Sequence, residues 1–252
     1  MTPAPGSCAI AVMAKTPRPG QVKTRLVPPL TAAEATALNA AFLRDITARI
    51  AAVGETLPAA GFVAYAPAGG EALFDGLLAP GTGLVLADGS VALAPDVAGI
   101  GRSLIHATRA LLALGFDGVC LVNSDSPTLP AAILAEAAAE LARGRRVVLG
   151  PAEDGGYYLI GIPAALAVAA EALFRDIPWS TAGVTAATLD RAAEAGIPVR
   201  CLPPWFDVDD PPSLRRLVAA LTAPNPTGDP APETAACIAR LGLGRRLSDL
   251  VP

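Results

Sequence analysis

The chain has 252 residues, 52% hydrophobic and 17% charged, with a formal net charge of −4. A sizeable core is within reach of such a composition, and global disorder is excluded. The acidic balance excludes a broad basic surface that would grip nucleic acid, while a local basic patch for a small phosphorylated molecule stays open.

The first expected element is a strand over 8–14, an uninterrupted apolar run. It leads into Lys15-Thr16-Pro17-Arg18-Pro19-Gly20-Gln21-Val22-Lys23-Thr24-Arg25, a basic loop stiffened by two prolines. Its spacing matches neither a P-loop nor a dinucleotide fingerprint. Gly20 permits a close approach of the backbone to a ligand, and Lys15, Lys23 and Arg25 supply charge for a phosphate. The plainer alternative is a solvated basic loop. Thr31 and Glu34 read as a capping box opening a helix to about Val53, with Leu38, Phe42, Ile46 and Ile50 along one apolar face.

Strands are expected at 61–66 and 83–87, then a helix near 101–114. That helix holds the chain's single histidine, His106, which excludes multi-histidine metal sites and suits a structural role. Arg102, at the helix start, faces either a phosphate or solvent. The run 119–123 reads as a buried strand that stops at Asp125, just before Pro127 and a helix near 130–143. Ligands of open α/β sheets bind beyond the carboxyl ends of strands, so Asp125 stands where a metal–phosphate or sugar ligand would be. Capping of the following helix is the competing reading.

Strands at 146–150 and 157–162 flank Glu153-Asp154-Gly155-Gly156. Either carboxylate suits an acceptor base or a partner for sugar hydroxyls. A plain hairpin turn explains the same residues. Trp179 suits either the core or the wall of a ligand pocket. A helix near 184–195 and a strand at 198–202 precede Trp205-Phe206-Asp207-Val208-Asp209-Asp210-Pro211. Asp207 and Asp209, at i and i+2 of an extended segment, point to one side, and Asp210 caps a helix over 211–221. Asp125 with Asp209, or with Asp207, would make a carboxylate pair for Mg²⁺ if the loops meet. A Pro/Gly-rich linker over 223–232 then leads to a short helix near 233–241.

Strands alternating with helices imply a mostly parallel sheet covered on both faces. The linker and last helix make a 223–252 appendage to a domain over 1–222. Cys8, Cys120, Cys201 and Cys237 have no paired spacing and read as reduced thiols of a cytoplasmic protein. No apolar run is long enough for a membrane span, and no signal peptide is expected at the start.

In this order, "AKTPRPGQVKTRL", "NSDSPTLP", "GPAEDGGYYLIGI", "IPWST" and "WFDVDDPPSL" resemble the bacterial glycosyltransferase-A-like proteins of the DUF2064 group, which includes proteins assigned to arsenosugar biosynthesis. More distantly, the chain is similar to phospholactate guanylyltransferases. The resemblance implies a nucleotide-diphospho-sugar transferase fold (GT-A, Rossmann-like, three layers) and a transfer dependent on Mg²⁺ or Mn²⁺, from a nucleoside-diphosphate sugar to a small acceptor. The alternative it carries is a nucleotidyltransferase joining an NTP to a sugar phosphate or phospho-acid, with release of pyrophosphate. It implies nucleotide and phosphate contacts from Lys15, Gly20, Lys23, Thr24 and Arg25. Asp125 would bind the metal with Asp209 and Asp207, Glu153 and Asp154 would serve catalysis, and Gly155, Gly156 and Trp179 would meet the sugar or acceptor. Neither nucleic acid nor membrane is an expected partner, and a homodimer stays open. One departure stands out: relatives carry a Gly-Asp-Leu-Gly-Glu-Arg-like turn where this chain reads Ala98-Gly99-Ile100-Gly101-Arg102-Ser103, without either acid.

Overall fold

Each of the seven apolar runs becomes a strand within two residues of its expected bounds: β1 (Cys8–Lys15), β2 (Ala59–Ala66), β3 (Gly83–Leu86), β4 (Gly118–Asn123), β5 (Val147–Pro151), β6 (Tyr157–Pro163) and β7 (Val199–Cys201). The computed structural model describes residues 3–223 and 228–248. One sheet runs in the order β3-β2-β1-β4-β6-β5-β7. β6 alone is antiparallel to its neighbours, β4 and β5, while the remaining pairs are parallel. That reversal matters for the site. Because β6 runs back, β5 and β7 point the same way as β4, and the loops after β1, β4, β5 and β7 all leave from one rim.

Helices cover both faces: α1 (Ala32–Gly54), α2 (Ile100–Ala113), α3 (Ala131–Ala142), the single turn α4 (Ala167–Ala170), α5 (Val184–Glu194), α6 (Pro211–Thr222), α7 (Pro232–Arg240) and α8 (Leu243–Ser248). The pleat of β1 divides the core between them. Cys8, Ile10 and Val12 pack with Leu43, Ile46 and Ile50 of α1 and Leu134 of α3, whereas Ala9 and Ala11 pack with Leu104, Ile105 and Leu111 of α2. The sheet is therefore the middle of three layers.

A third cluster joins Leu38 and Phe42 of α1 to Leu217, Ile238 and Leu243 of the last three helices. Two buried charges of α1 tie down this end. Asp45 accepts the backbone N–H groups of Glu233 and Thr234, capping α7 from a distance. Arg49 donates to the carbonyls of Pro127 and Pro230, both at 2.7 Å. Part of the expected linker, 224–227, lies outside the described residues, and α8 was not anticipated. No helix among the described residues is long and apolar enough to cross a membrane.

The capping box at Thr31 forms as the sequence implies, and Arg246 of α8 adds a bridge to Glu34 at 2.7 Å. That guanidinium, with the Thr31 N–H, pulls the Glu34 carboxyl down to about 2. An unfolded glutamate titrates near 4.3. The extra stability is thus complete above about pH 4.3 and is lost as pH falls toward the folded value. Glu34→Gln should cost about 1 kcal/mol at pH 6 after solvent screening. Urea midpoints of the two proteins should converge as pH is lowered to 3.

Candidate active site

The sheet's connectivity reverses direction between β1 and β4, the place where open α/β folds leave a crevice. A cleft of two lobes opens there. The first, of about 520 Å³, lies over the ends of β1 and β2 and takes Lys15, Thr24, Arg25 and Asp125 into its lining. The second, of about 320 Å³, lies over the ends of β4 and β6 and takes Asp154, Gly156 and Trp179. Met13, Arg25, Ile100 and Asp209 line both and form the seam.

The acidic residues meet because the segment 205–208 is stitched into the rim on both sides. Its Trp205 exchanges backbone bonds with Pro151 and Glu153, its Val208 N–H donates to Asp125 O at 2.9 Å, and Ser126 Oγ donates to Phe206 O. Phe206 and Val208 turn into the core, which leaves Asp207 and Asp209 on the opposite side, as their spacing implies. Asp210 caps α6 through the Ser213 N–H at 2.8 Å.

Lys23 is the main surprise. Its side chain is 4% exposed at the wall of the first lobe. The ammonium lies 2.6 Å from Asp125 Oδ1 and 3.2 Å from Asp209 Oδ1, and it donates to Val208 O at 2.6 Å. Two of its N–H groups are thus spent on Val208 and Asp209, and Asp125 adds an ion pair. The Phe42 ring lies 5.4 Å away on a further side. Lys23 adopts the left-handed region at φ 49, a conformation a non-glycine residue keeps only when its surroundings enforce it. Lys23 lines the first lobe, where a phosphate contact was expected of it, and its ammonium lies between two carboxylates.

The remaining charge is negative. Burial, then the Asp125 carboxylate, raises the Asp209 carboxyl above its ordinary range against the pull of Lys23. Asp207 is pushed up to about 7 by burial and by the charges of Asp154, Asp209 and Asp125. Four carboxylates thus share one corner of the rim.

Other expected residues fall elsewhere. Glu153 lines neither lobe; it forks onto Arg216 of α6, which stacks on Phe206, and the pairing holds its carboxyl below its ordinary range. A carboxylate so engaged is a poor base. Gly20 takes the left-handed φ expected of a tight turn but is exposed outside both lobes, and Gly155 packs against the Ala182 backbone. Arg102, half-buried, donates to the carbonyls of Gly89 and Val91 and lines neither lobe. His106 stays outside both lobes, 3.3 Å from Asp88.

Sequence reasoning missed Asn39 of α1 and Ser103 of α2, which line the first lobe, and Ile100, which lines both. Asn39 is 4% exposed and its Oδ1 has no partner among the described residues. No motif announces it; a lone amide among the apolar positions of a helix was the only signal. One position of the turn without acids has a steric reason. A Cβ at Gly99 would come within 2.9 Å of the Trp179 ring, so an acid there would displace the indole.

The DUF2064 family, described as an uncharacterized protein conserved in bacteria, matches residues 49–181. Among solved structures, the chain is similar to a candidate nucleotide-diphospho-sugar transferase from Desulfovibrio desulfuricans G20, with a TM-score of 0.77 and 28% identity over 96% of this chain and 98% of that one. A cytidylyltransferase from Leptospira borgpetersenii serovar Hardjo-bovis has a TM-score of 0.52 and 10% identity, over 97% and 98% of the two chains. CMP:2-keto-3-deoxy-manno-octonic acid synthetase, in complex with CTP, has a TM-score of 0.51 and 12% identity over 84% and 96%. At these identities the last two share the fold alone. No curated protein matches the chain.

Proposed function

The chain belongs to the DUF2064 family, and from that premise we propose that its two-lobed cleft transfers a glycosyl group from a nucleoside-diphosphate sugar to a small acceptor. The observation that carries this reading is the seam, where a basic loop and a corner of carboxylates face each other across Asp209. In this reading the nucleotide occupies the first lobe, with Lys15, Thr24 and Arg25 toward its phosphates. The acceptor occupies the second. An acceptor hydroxyl attacks the anomeric carbon, its proton passes to Asp154, and the bond to the diphosphate breaks with its electron pair leaving on the nucleoside diphosphate.

The donor set fits a hard divalent cation. Asp125 and Asp209 already share one ammonium, and their crowding with Asp207 leaves negative charge uncompensated. No three acidic, histidine or cysteine side chains converge into a ready-made cage among the described residues. Mg²⁺ and its like commonly use one or two carboxylates plus phosphate oxygens, so Asp125 and Asp209 would hold the ion. When bound it would offset the charge growing on the departing diphosphate.

A thermal-shift panel of UDP-, GDP-, dTDP-, ADP- and CDP-linked sugars, with and without Mn²⁺, tests the reading. A donor that stabilises the fold only with metal supports it, and no response to any donor rejects it. Product analysis separates the two chemistries, since nucleotidyl transfer from an NTP releases pyrophosphate. Of the two expected bases, Asp154 alone lines the cleft. Glu153→Gln should lower the transfer rate less than about fivefold, since an exposed ion pair contributes under ~1 kcal/mol. Asp154→Asn should lower it by on the order of tenfold or more. Initial rates of nucleoside diphosphate release give both numbers.

A further inference from the structure

We infer that the second lobe takes an uncharged acceptor with a substantial apolar portion, a ring or alkyl group bearing a hydroxyl, and rejects phosphorylated or carboxylated acceptors. The word acceptor rests on the transferase reading; the chemistry of the lobe does not. Its walls mix polar groups, among them Asn123, Ser180 and Thr181, with a larger share of apolar side chains. Leu104, Leu121, Ile160 and Val184 line it together with the rings of Tyr157 and Trp179. The two rings meet edge to face at 6.2 Å. Trp179 is further wedged against α2, where a Cβ at Gly99 or Gly101 would come within 2.9 or 3.0 Å of its ring. This wall is closely packed against its neighbours, which suits an apolar ligand face resting on it. Ile100, 49% exposed, extends the apolar surface to the seam.

Charge argues in the same direction. Arg25 is the lobe's single cation among the described residues, and Asp209 is 3.7 Å from it. Asp154 adds a second carboxylate. An anionic acceptor would therefore meet two carboxylates, Asp154 and Asp209, against the one cation Arg25, which the donor phosphates also claim. The first lobe adds Lys15 and Lys23 to Arg25, which sets a phosphate side against one richer in apolar side chains. The polar groups that remain suit a neutral hydroxyl. Asp154 Oδ1 accepts the Gly156 N–H at 2.8 Å, and Oδ2 has no partner among the described residues.

The test uses the full chain with Trp205→Phe, which leaves Trp179 as the sole indole. Phenyl β-glucoside is the neutral probe, and glycerol 3-phosphate and 3-phosphoglycerate are the anionic ones. Phenyl β-glucoside should change Trp179 emission saturably, with a dissociation constant at least tenfold below that of either phosphate compound. Ile100→Asp, at an exposed position, should weaken it fivefold or more, and Asp154→Lys should narrow the gap by admitting glycerol 3-phosphate. Calorimetry on the unmodified chain repeats the comparison if Trp205→Phe fails to fold. Equal or tighter binding of a phosphate compound to the unmodified chain overturns the inference, as does the absence of a saturable response to phenyl β-glucoside. Binding of phenyl β-glucoside without any response to nucleotide sugars and Mn²⁺ would remove the transferase reading and leave the apolar site standing.

Discussion

Lys23→Met should melt several degrees below the parent protein, and Mn²⁺ should return part of the loss. The Lys23 side chain is 4% exposed and its ammonium lies between Asp125 and Asp209, so its removal strands two carboxylates beside each other. Breaking a fully buried pair costs about 3–5 kcal/mol. The two carboxylates keep some contact with water, at 28% and 39% exposure, which brings the expected cost to about 2 kcal/mol. For a domain of this size that is a fall of roughly 4–8 °C. A divalent cation replaces the missing charge, and a ligand at a hundred times its Kd stabilises by about 2.7 kcal/mol. Thermal melts with and without Mn²⁺ should therefore show a larger metal-induced rise in Lys23→Met than in the parent. An unchanged melting temperature would show that the buried contact contributes little. An equal rise in both proteins would show that the ammonium does not hold the place of the cation.

Asp125→Asn should reduce nucleoside diphosphate release by on the order of 10²-fold or more in Mg²⁺ or Mn²⁺ while leaving the fold in place. Asparagine preserves the backbone carbonyl that accepts the Val208 N–H, so the rim keeps its stitching. The lost charge is what the proposed chemistry needs, because one fewer carboxylate faces the cation that offsets the leaving diphosphate. Steady-state rates alongside melting curves distinguish a failure of chemistry from a failure of folding. Near-normal turnover in Mn²⁺ would reject the metal role of Asp125.

Much of this arrangement is legible residue by residue. The strand before Asp125 is an apolar run with no room for charge, and a carboxylate at its end falls on the rim whatever the details of packing. The alternation of Phe206 and Val208 with Asp207 and Asp209 reads directly as two core residues and two on the opposite side, of which Asp209 lines the cleft and Asp207 lines neither lobe. Thr31 and Asp210 show their caps in their own neighbourhoods. Long-range choices are not legible in this way. Glu153 and Asp154 are chain neighbours of the same chemistry, and only the arrival of Arg216 from α6 draws one of them out of the cleft. Arg102 looks like a free cation until the carbonyls of Gly89 and Val91 are found beside it.

By itself the sequence determined the elements, their alternation and the placing of acids just beyond strand ends, because period, capping and turn chemistry act over a few residues. The tertiary structure decided which charges meet. β6 had to run backwards for the loops after β4, β5 and β7 to share one rim, and 205–208 had to be laced between two loops to bring Asp209 to Asp125. Lys23 then met carboxylates rather than solvent because burial set its ammonium among Asp125, Asp209 and the Val208 carbonyl, a preference of folded surroundings that no local pattern carries.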